Sequence, residues 1–211
     1  MKYLVVLISG KGTNLQVIIE ACQQGKIPAR IAAVISNRAD AYGIKRAKIA
    51  GIEAKILSPA DFIGREEYDI ALSALIDIYR ADAIILAGYM RILSKTFIDR
   101  YSGRVLNIHP SLLPLYPGLD THRHVLRNGD TEHGTSVHFV TEKLDTGPVI
   151  LQARVPVFAQ DDVQLLAQRV KIQEHAIYPI AISQLLTGRL SLRDNLAWLD
   201  GKPLPSAGFT L

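Results

Sequence analysis

The strongest constraint on the fold is a unit that repeats along the first half of the chain: a short apolar run, a turn, then a helical period. Residues 3–8 form a continuous apolar run, as expected of a parallel strand covered on both faces. Ser9-Gly10-Lys11-Gly12-Thr13-Asn14 then turns the chain, and Leu15, Ile18, Ile19 and Cys22 recur at helical spacing up to residue 24. The same alternation predicts strands at 31–36, 54–57, 83–87 and 105–109, with helices at 42–50 and 65–79 and one capped by Ser94 that runs towards Tyr101. Tyr68, Leu72, Leu75, Ile76 and Tyr79 supply the buried stripe of the 65–79 helix. This rhythm predicts an α/β fold, an open and mostly parallel twisted sheet with helices on both faces and right-handed crossovers.

The rhythm changes after a proline-rich loop. Residues 121–128 read as a short helix. Strands at 134–141 and 149–157 have no helix between them, so they are expected to pair antiparallel. A helix over 163–186 must kink or end at Pro179. The tail from 190, which holds the single tryptophan, Trp198, is expected to pack back on the surface. With 211 residues the chain can bury one sizeable core, and its length favours one domain with up to two lobes.

Composition excludes several classes. The 24 basic and 20 acidic residues form no Lys/Arg tract of the kind that binds nucleic acid. The apolar start is too short for a signal sequence or a membrane span. Cys22 is the only cysteine, so no intrachain disulfide can form; burial suits it better than reactivity, and a cytoplasmic location is expected.

The residues that carry chemistry begin at Asn107-Ile108-His109-Pro110-Ser111-Leu112-Leu113-Pro114. Asn107 and His109 are two apart on a strand, so they share a face while Ile108 takes the other. Pro110 and Pro114 then force a stiff loop, in which a cis Leu113-Pro114 bond is plausible. Leu144-Asp145-Thr146-Gly147-Pro148 supplies a carboxylate in a second turn-rich loop. Amide, imidazole and carboxylate together suit acyl transfer: one steadies an oxyanion, one lends a proton, one tunes the imidazole. Each also has a plain structural reading, Asn107 as a strand-end cap, His109 as a satisfied core histidine and Asp145 as an Asx-turn residue. His122, His124 and His133 lack the paired spacing of a zinc set, and no metal is expected.

Gly10-Lys11-Gly12-Thr13-Asn14 lies between the first strand and the first helix, where backbone N–H groups and the helix dipole favour a phosphate. A dinucleotide site would want a third glycine where Leu15 stands and an acidic residue where Asn37 and Arg38 end the second strand. A phosphate monoester is the better ligand; the alternative is an ordinary strand-to-helix turn.

Taken together, these segments resemble the folate-dependent formyltransferases over nearly the whole chain. The resemblance is carried by residues 7–15, by Leu86-Ala87-Gly88-Tyr89-Met90-Arg91-Ile92-Leu93, by the Asn107 to Pro114 run, by His133-Gly134-Thr135-Ser136-Val137-His138, by Asp145-Thr146-Gly147-Pro148-Val149-Ile150 and by Glu174-His175-Ala176-Ile177-Tyr178-Pro179. It implies a Rossmann-like formyltransferase fold with an antiparallel C-terminal strand. It also implies one domain over 1–211, with a phosphate-binding lobe at 1–100 and a catalytic, folate-binding lobe at 101–211. The implied reaction moves a formyl group from the co-substrate 10-formyltetrahydrofolate to the glycine amine of phosphoribosylglycinamide, in purine biosynthesis. By the same resemblance Asn107, His109 and Asp145 are catalytic. Gly12, Thr13 and Asn14 hold the phosphate and Glu174 the ribose. The folate lies on Met90, Arg91, Ile92, Leu93, Val140, Leu144, Asn107 and Asp145, with Arg65 near its carboxylate tail, although Arg65 also reads as a helix-surface charge. Thr135 and His138 support Asp145 or the folate loop, or are purely structural. The enzyme is expected to act on small molecules as a monomer or homodimer, without nucleic-acid or membrane partners.

Chemistry asks for those residue types. When a neutral amine attacks the formyl carbon its oxygen becomes negative, and Asn107 and a charged His109 can donate to it, Asp145 favouring that charge. Asp145 can also relay the proton lost by the amine. Asp120 stands where relatives commonly have histidine, which leaves the contribution of that loop open, and residues 141–147 have the content of a mobile lid. Rival readings are a formyltetrahydrofolate deformylase, which usually carries an extra N-terminal domain, a methionyl-tRNA formyltransferase, which needs a C-terminal tRNA-binding domain, and a non-catalytic nucleotide-binding module. The start of strand one at Tyr3 and the end of the chain at Leu211 weigh against the first two.

Overall fold

The computed structural model describes residues 1–210. Along the first half, β1 (Lys2–Ile8), α1 (Thr13–Gln23), β2 (Ala29–Ser36), α2 (Tyr42–Ile49), β3 (Ala54–Ile56), α3 (Arg65–Ile78), β4 (Ala83–Leu86), α4 (Lys95–Arg100) and β5 (Val105–His109) alternate. Then come α5 (Thr121–Asn128), β6 (Glu132–Phe139), β7 (Val149–Pro156) and α6 (Val163–Leu186), and a tail of β8 (Leu190–Arg193), β9 (Leu196–Leu199), β10 (Lys202–Pro203) and β11 (Phe209–Thr210).

Eight strands form one sheet in the order β11-β7-β6-β5-β4-β1-β2-β3. Only β6 runs against the others, pairing antiparallel with β5 and β7 as its missing crossover helix required. Strand alternation splits the core. Leu4, Val6 and Ile8 of β1 pack with α1, α2 and α6 on one face, while Val5 and Leu7 pack with α3 and α4 on the other. No helix among the described residues is long and apolar enough to cross a membrane.

Two expectations are narrowed by the structure. Helix α6 does not end at Pro179 but continues through it. A proline inside a helix costs about 3 kcal/mol. Ile177, Tyr178, Ala181 and Ile182 are all buried on that segment, and each large apolar side chain returns about 1.5–3 kcal/mol. Tertiary packing wins. The tail is also more ordered than a surface segment, because β8, β9 and β10 form a separate antiparallel sheet and β11 joins β7 in parallel. Its hairpin was written in Asp194-Asn195, both at positive φ between two short apolar runs.

Candidate active site

From β1 the chain winds to β2 and β3 on one side and returns to β4 on the other, so a crevice opens beyond the carboxyl ends of β1 and β4. Ser9, at the end of β1, ties the two edges of that crevice together. Its N–H donates to the Gly88 carbonyl at 3.1 Å, and its Oγ accepts from the Met90 N–H at 2.7 Å.

The glycine loop follows directly. Gly12 has φ of 69°, and a Cβ there would stand 2.7 Å from the Gly43 Cα of α2, so glycine is required both for the turn and for the close approach. Gly12 precedes α1 with no side-chain cap, which leaves first-turn N–H groups facing out of an 11-residue helix whose own first turn carries no acidic residue. Asn14 is buried and its Nδ2 donates to Glu174 Oε2 at 2.9 Å, while the other atom of its amide, Oδ1, has no partner. Glu174 also accepts from Lys171 Nζ at 2.8 Å. The chain thus brings Asn14 and Glu174 together as expected and adds Lys171, which sequence reasoning missed although it stands one helical turn before Glu174.

Asn107, His109 and Asp145 converge. Leu106 and Ile108 enter the core, which turns Asn107 and His109 to the opposite face. His109 Nδ1 lies 3.3 Å from Asp145 Oδ2, with both side chains 7% exposed. His109 Nε2 meets the Tyr116 carbonyl at 2.8 Å, so both ring nitrogens face acceptors. Asp145 Oδ2 also accepts from the Gly118 N–H at 2.9 Å, and Asp145 itself holds a φ of 51°, a conformation that aspartate tolerates better than most residues. Asn107 Nδ2 lies 3.1 Å from Nε2 of the buried His138, whose Nε2 is also 3.7 Å from Asp145 Oδ1. Burial holds the His138 pKa well below the ordinary imidazole range.

A buried polar framework holds this cluster, and its members were not visible as a group in the sequence. Thr135 donates from Oγ1 to the His109 carbonyl at 2.9 Å, so it supports the strand end and not Asp145. Ser136 Oγ donates to the Ser111 carbonyl and accepts from the Leu113 N–H, while Gln152 Nε2 donates to the Leu113 carbonyl. The Leu113-Pro114 peptide between them is cis. Tyr178 Oη reaches the Leu86 and Leu106 carbonyls at 2.8 and 3.1 Å, crossing from α6 to the ends of β4 and β5. Gly147 passes so close to Phe139 that a Cβ would sit 1.8 Å from its carbonyl oxygen.

Met90 and Ile92 are exposed beside the crevice, and Leu93 is buried as an anchor. The N–H groups of Arg91, Ile92 and Leu93 make no backbone hydrogen bond among the described residues. Arg91 stacks over the Tyr68 ring, 4.2 Å from its centroid, and the buried Asp69 accepts from the Ser94 N–H, fixing the far end of the segment. Opposite, Val140 is half-buried and Leu144 is exposed. Arg65 is exposed in the first turn of α3. Asp120 is exposed ahead of α5, with its backbone carbonyl accepting from the His124 N–H. His122 and His133 contact each other at 3.0 Å, yet among the described residues no group of three or more His, Cys, Asp or Glu is placed to hold a metal ion.

Comparison with known proteins gives the family. The family described as Formyl transferase matches residues 2–182. The chain is 58% identical over 206 residues to the phosphoribosylglycinamide formyltransferase of Escherichia coli, covering 98% of this chain and 97% of that protein. It is 40% identical over 198 residues to the human trifunctional purine biosynthetic protein adenosine-3, covering 93% of this chain and 20% of that protein. Among solved structures, the phosphoribosylglycinamide formyltransferase of Coxiella burnetii superposes with a TM-score of 0.96 at 51% identity, covering 100% of this chain and 99% of that one.

Proposed function

The chain belongs to the formyl transferase family, and from that premise we propose that it transfers a formyl group from 10-formyltetrahydrofolate to the glycine amine of phosphoribosylglycinamide. The observation that carries the reading is the meeting of Asn107, His109 and Asp145 beside a helix N-terminus suited to a phosphate.

The N–H groups of Gly12, Thr13 and Asn14 hold the substrate phosphate, and Lys171 adds a cation next to them. Glu174 receives the ribose hydroxyls. The pterin lies along residues 90–93 and against 140–145, where free backbone N–H groups and exposed apolar side chains suit a flat heterocycle with polar edges. Arg65 stands outside it, available to the folate's carboxylates.

In the reaction the amine nitrogen attacks the formyl carbon, and the carbonyl electron pair moves onto oxygen. Asn107 donates to that oxygen, and His109 donates from Nε2 once the substrate oxygen displaces the Tyr116 carbonyl. Asp145 keeps the imidazole oriented and takes the proton lost by the amine. The carbon–N10 bond of the folate then breaks, and N10 receives a proton, so that the products are the N-formyl amide and tetrahydrofolate.

A spectroscopic folate assay with three acceptors tests the reading: phosphoribosylglycinamide, water alone, and charged initiator tRNA. Turnover with the first acceptor is expected. Equal turnover with water alone would identify a deformylase instead.

A further inference from the structure

Asn107 can stabilise a negative oxygen only if it presents its NH2 end, and the neighbourhood of its side chain decides which end that is. Asn107 and His138 are directly opposite each other across the antiparallel β5–β6 pair, so their side chains stand side by side on one face. His138 is 2% exposed. Its Nδ1 lies 2.9 Å from the carbonyl oxygen of Phe139, which can only accept, so Nδ1 carries a proton. In a neutral ring the other nitrogen, Nε2, is then an acceptor, and what faces it at 3.1 Å is the Asn107 carboxamide. An acceptor at that place fixes the amide: the NH2 end must turn towards His138.

We propose that His138 is a positioning residue for formyl transfer. As the neutral Nδ1–H tautomer it takes one N–H of the Asn107 carboxamide and leaves the second N–H, and not the amide oxygen, for the developing oxyanion. This inference rests on the reaction proposed above and deepens it. Were Nε2 protonated, it would donate, and the Asn107 oxygen would turn inward to accept; the amide would then lose its anchored orientation. Removing the ring's acceptor has a related effect, because the carboxamide is then free to rotate and can set its own oxygen against the substrate's. The charged groups within reach are Asp145, 3.7 Å from Nε2, and through it His109. Asp145 is tied to His109 and to the Gly118 N–H through its other oxygen, Oδ2, and at 3.7 Å its Oδ1 lies beyond hydrogen-bond distance of Nε2.

The test is a double-mutant cycle between positions 138 and 107, read as kcat and KM for both substrates. His138→Phe keeps a ring and removes the acceptor. It is expected to lower kcat by about 10²-fold, close to the loss of one oxyanion donor, while KM for either substrate changes little. In an Asn107→Ala background the same change is expected to cost nothing further. His138→Gln, which can offer an amide oxygen, is expected to recover part of the loss. An equal kcat loss in both backgrounds overturns the proposal, since His138 would then act independently of Asn107. Long-range proton–nitrogen NMR on the wild-type protein provides a second measurement that needs no variant. It should show the Nδ1–H tautomer of His138, and an Nε2–H or doubly protonated ring overturns the proposal even if His138→Phe fails to fold. A wild-type protein inactive with phosphoribosylglycinamide would overturn the reaction assigned above, and the NMR result would still decide the tautomer.

Discussion

Oδ2 of Asp145 stands between two partners, Nδ1 of His109 at 3.3 Å and the Gly118 N–H at 2.9 Å, so one carboxylate ties β5 to the loop that follows it. The contact joins the end of β5 and the loop after it to a residue 27 positions beyond Gly118. It also means that changes at Asp145 act on charge and on loop position together.

Asn107→Ala, His109→Ala and Asp145→Asn should each lower kcat by at least about 10²–10³-fold, the scale of one lost oxyanion donor. None of the three belongs to the apolar core clusters, so thermal unfolding should stay close to wild type. Near-normal turnover by a purified, folded variant would remove that residue from the mechanism.

Glu174→Gln should separate the two substrates. The carboxylate now accepts from Asn14 and Lys171, and charged hydrogen bonds are worth about 1.5–3 kcal/mol. KM for the phosphoribosyl substrate should therefore rise about tenfold or more, with KM for the folate donor unchanged. Parallel increases in both would place Glu174 outside the phosphoribosyl site.

Ser9→Ala should do the opposite. Its hydroxyl accepts the Met90 N–H and so holds the 90–93 segment, proposed to carry the folate, against the Gly12 loop. Loss of one hydrogen bond costs about 1 kcal/mol, about a fivefold effect. Because the bond spans the crevice, both KM values should rise, and a change confined to one substrate would argue against the clamp.

Gly147→Ala tests the Asp145 loop. A methyl group placed 1.8 Å from the Phe139 carbonyl oxygen forces that loop away from β6. Overpacking of this kind costs about 1–3 kcal/mol, and with Asp145 displaced, turnover should fall further than stability does. Wild-type kcat in this variant would show that the loop relocates without moving the carboxylate.

Acid should loosen the fold before it protonates most carboxylates. Burial, helped by repulsion from His122, brings His133 down from 6.5 to about 4, and burial likewise lowers His138. The unfolded chain binds these protons near 6.5, whereas the folded chain resists until about 4. The stabilisation is therefore complete above pH 6.5 and is lost progressively as pH falls towards 4. Unfolding midpoints measured across that window should drop, and a His133→Asn variant should drop less steeply.

Much of the fold was legible because its signals are local. The bounds of β5 and α5 follow from an apolar run closed by Pro110 and from a helix closed by Gly129 at positive φ. Pro179 left open whether the helix kinks or ends, because the rule against proline is local, while the burial of Tyr178, Ala181 and Ile182 that carries the helix onward depends on the whole sheet. The sheet of β8, β9 and β10 was missed because its strands are too short to show a period, although Asp194-Asn195 marked the turn.

By itself the amino-acid order determined the alternation of strands and helices, the glycine-rich turn between β1 and α1 and the kinds of side chain available for chemistry. Each of these depends on a residue and its near neighbours. Tertiary structure alone decided that Ser136 and Gln152 would brace the loop after β5, that Glu174 would reach Asn14, and that His138 would face Asn107. Such pairings depend on the register between strands and on the rotation of α6 against the sheet, and those are fixed by the packing of the whole core.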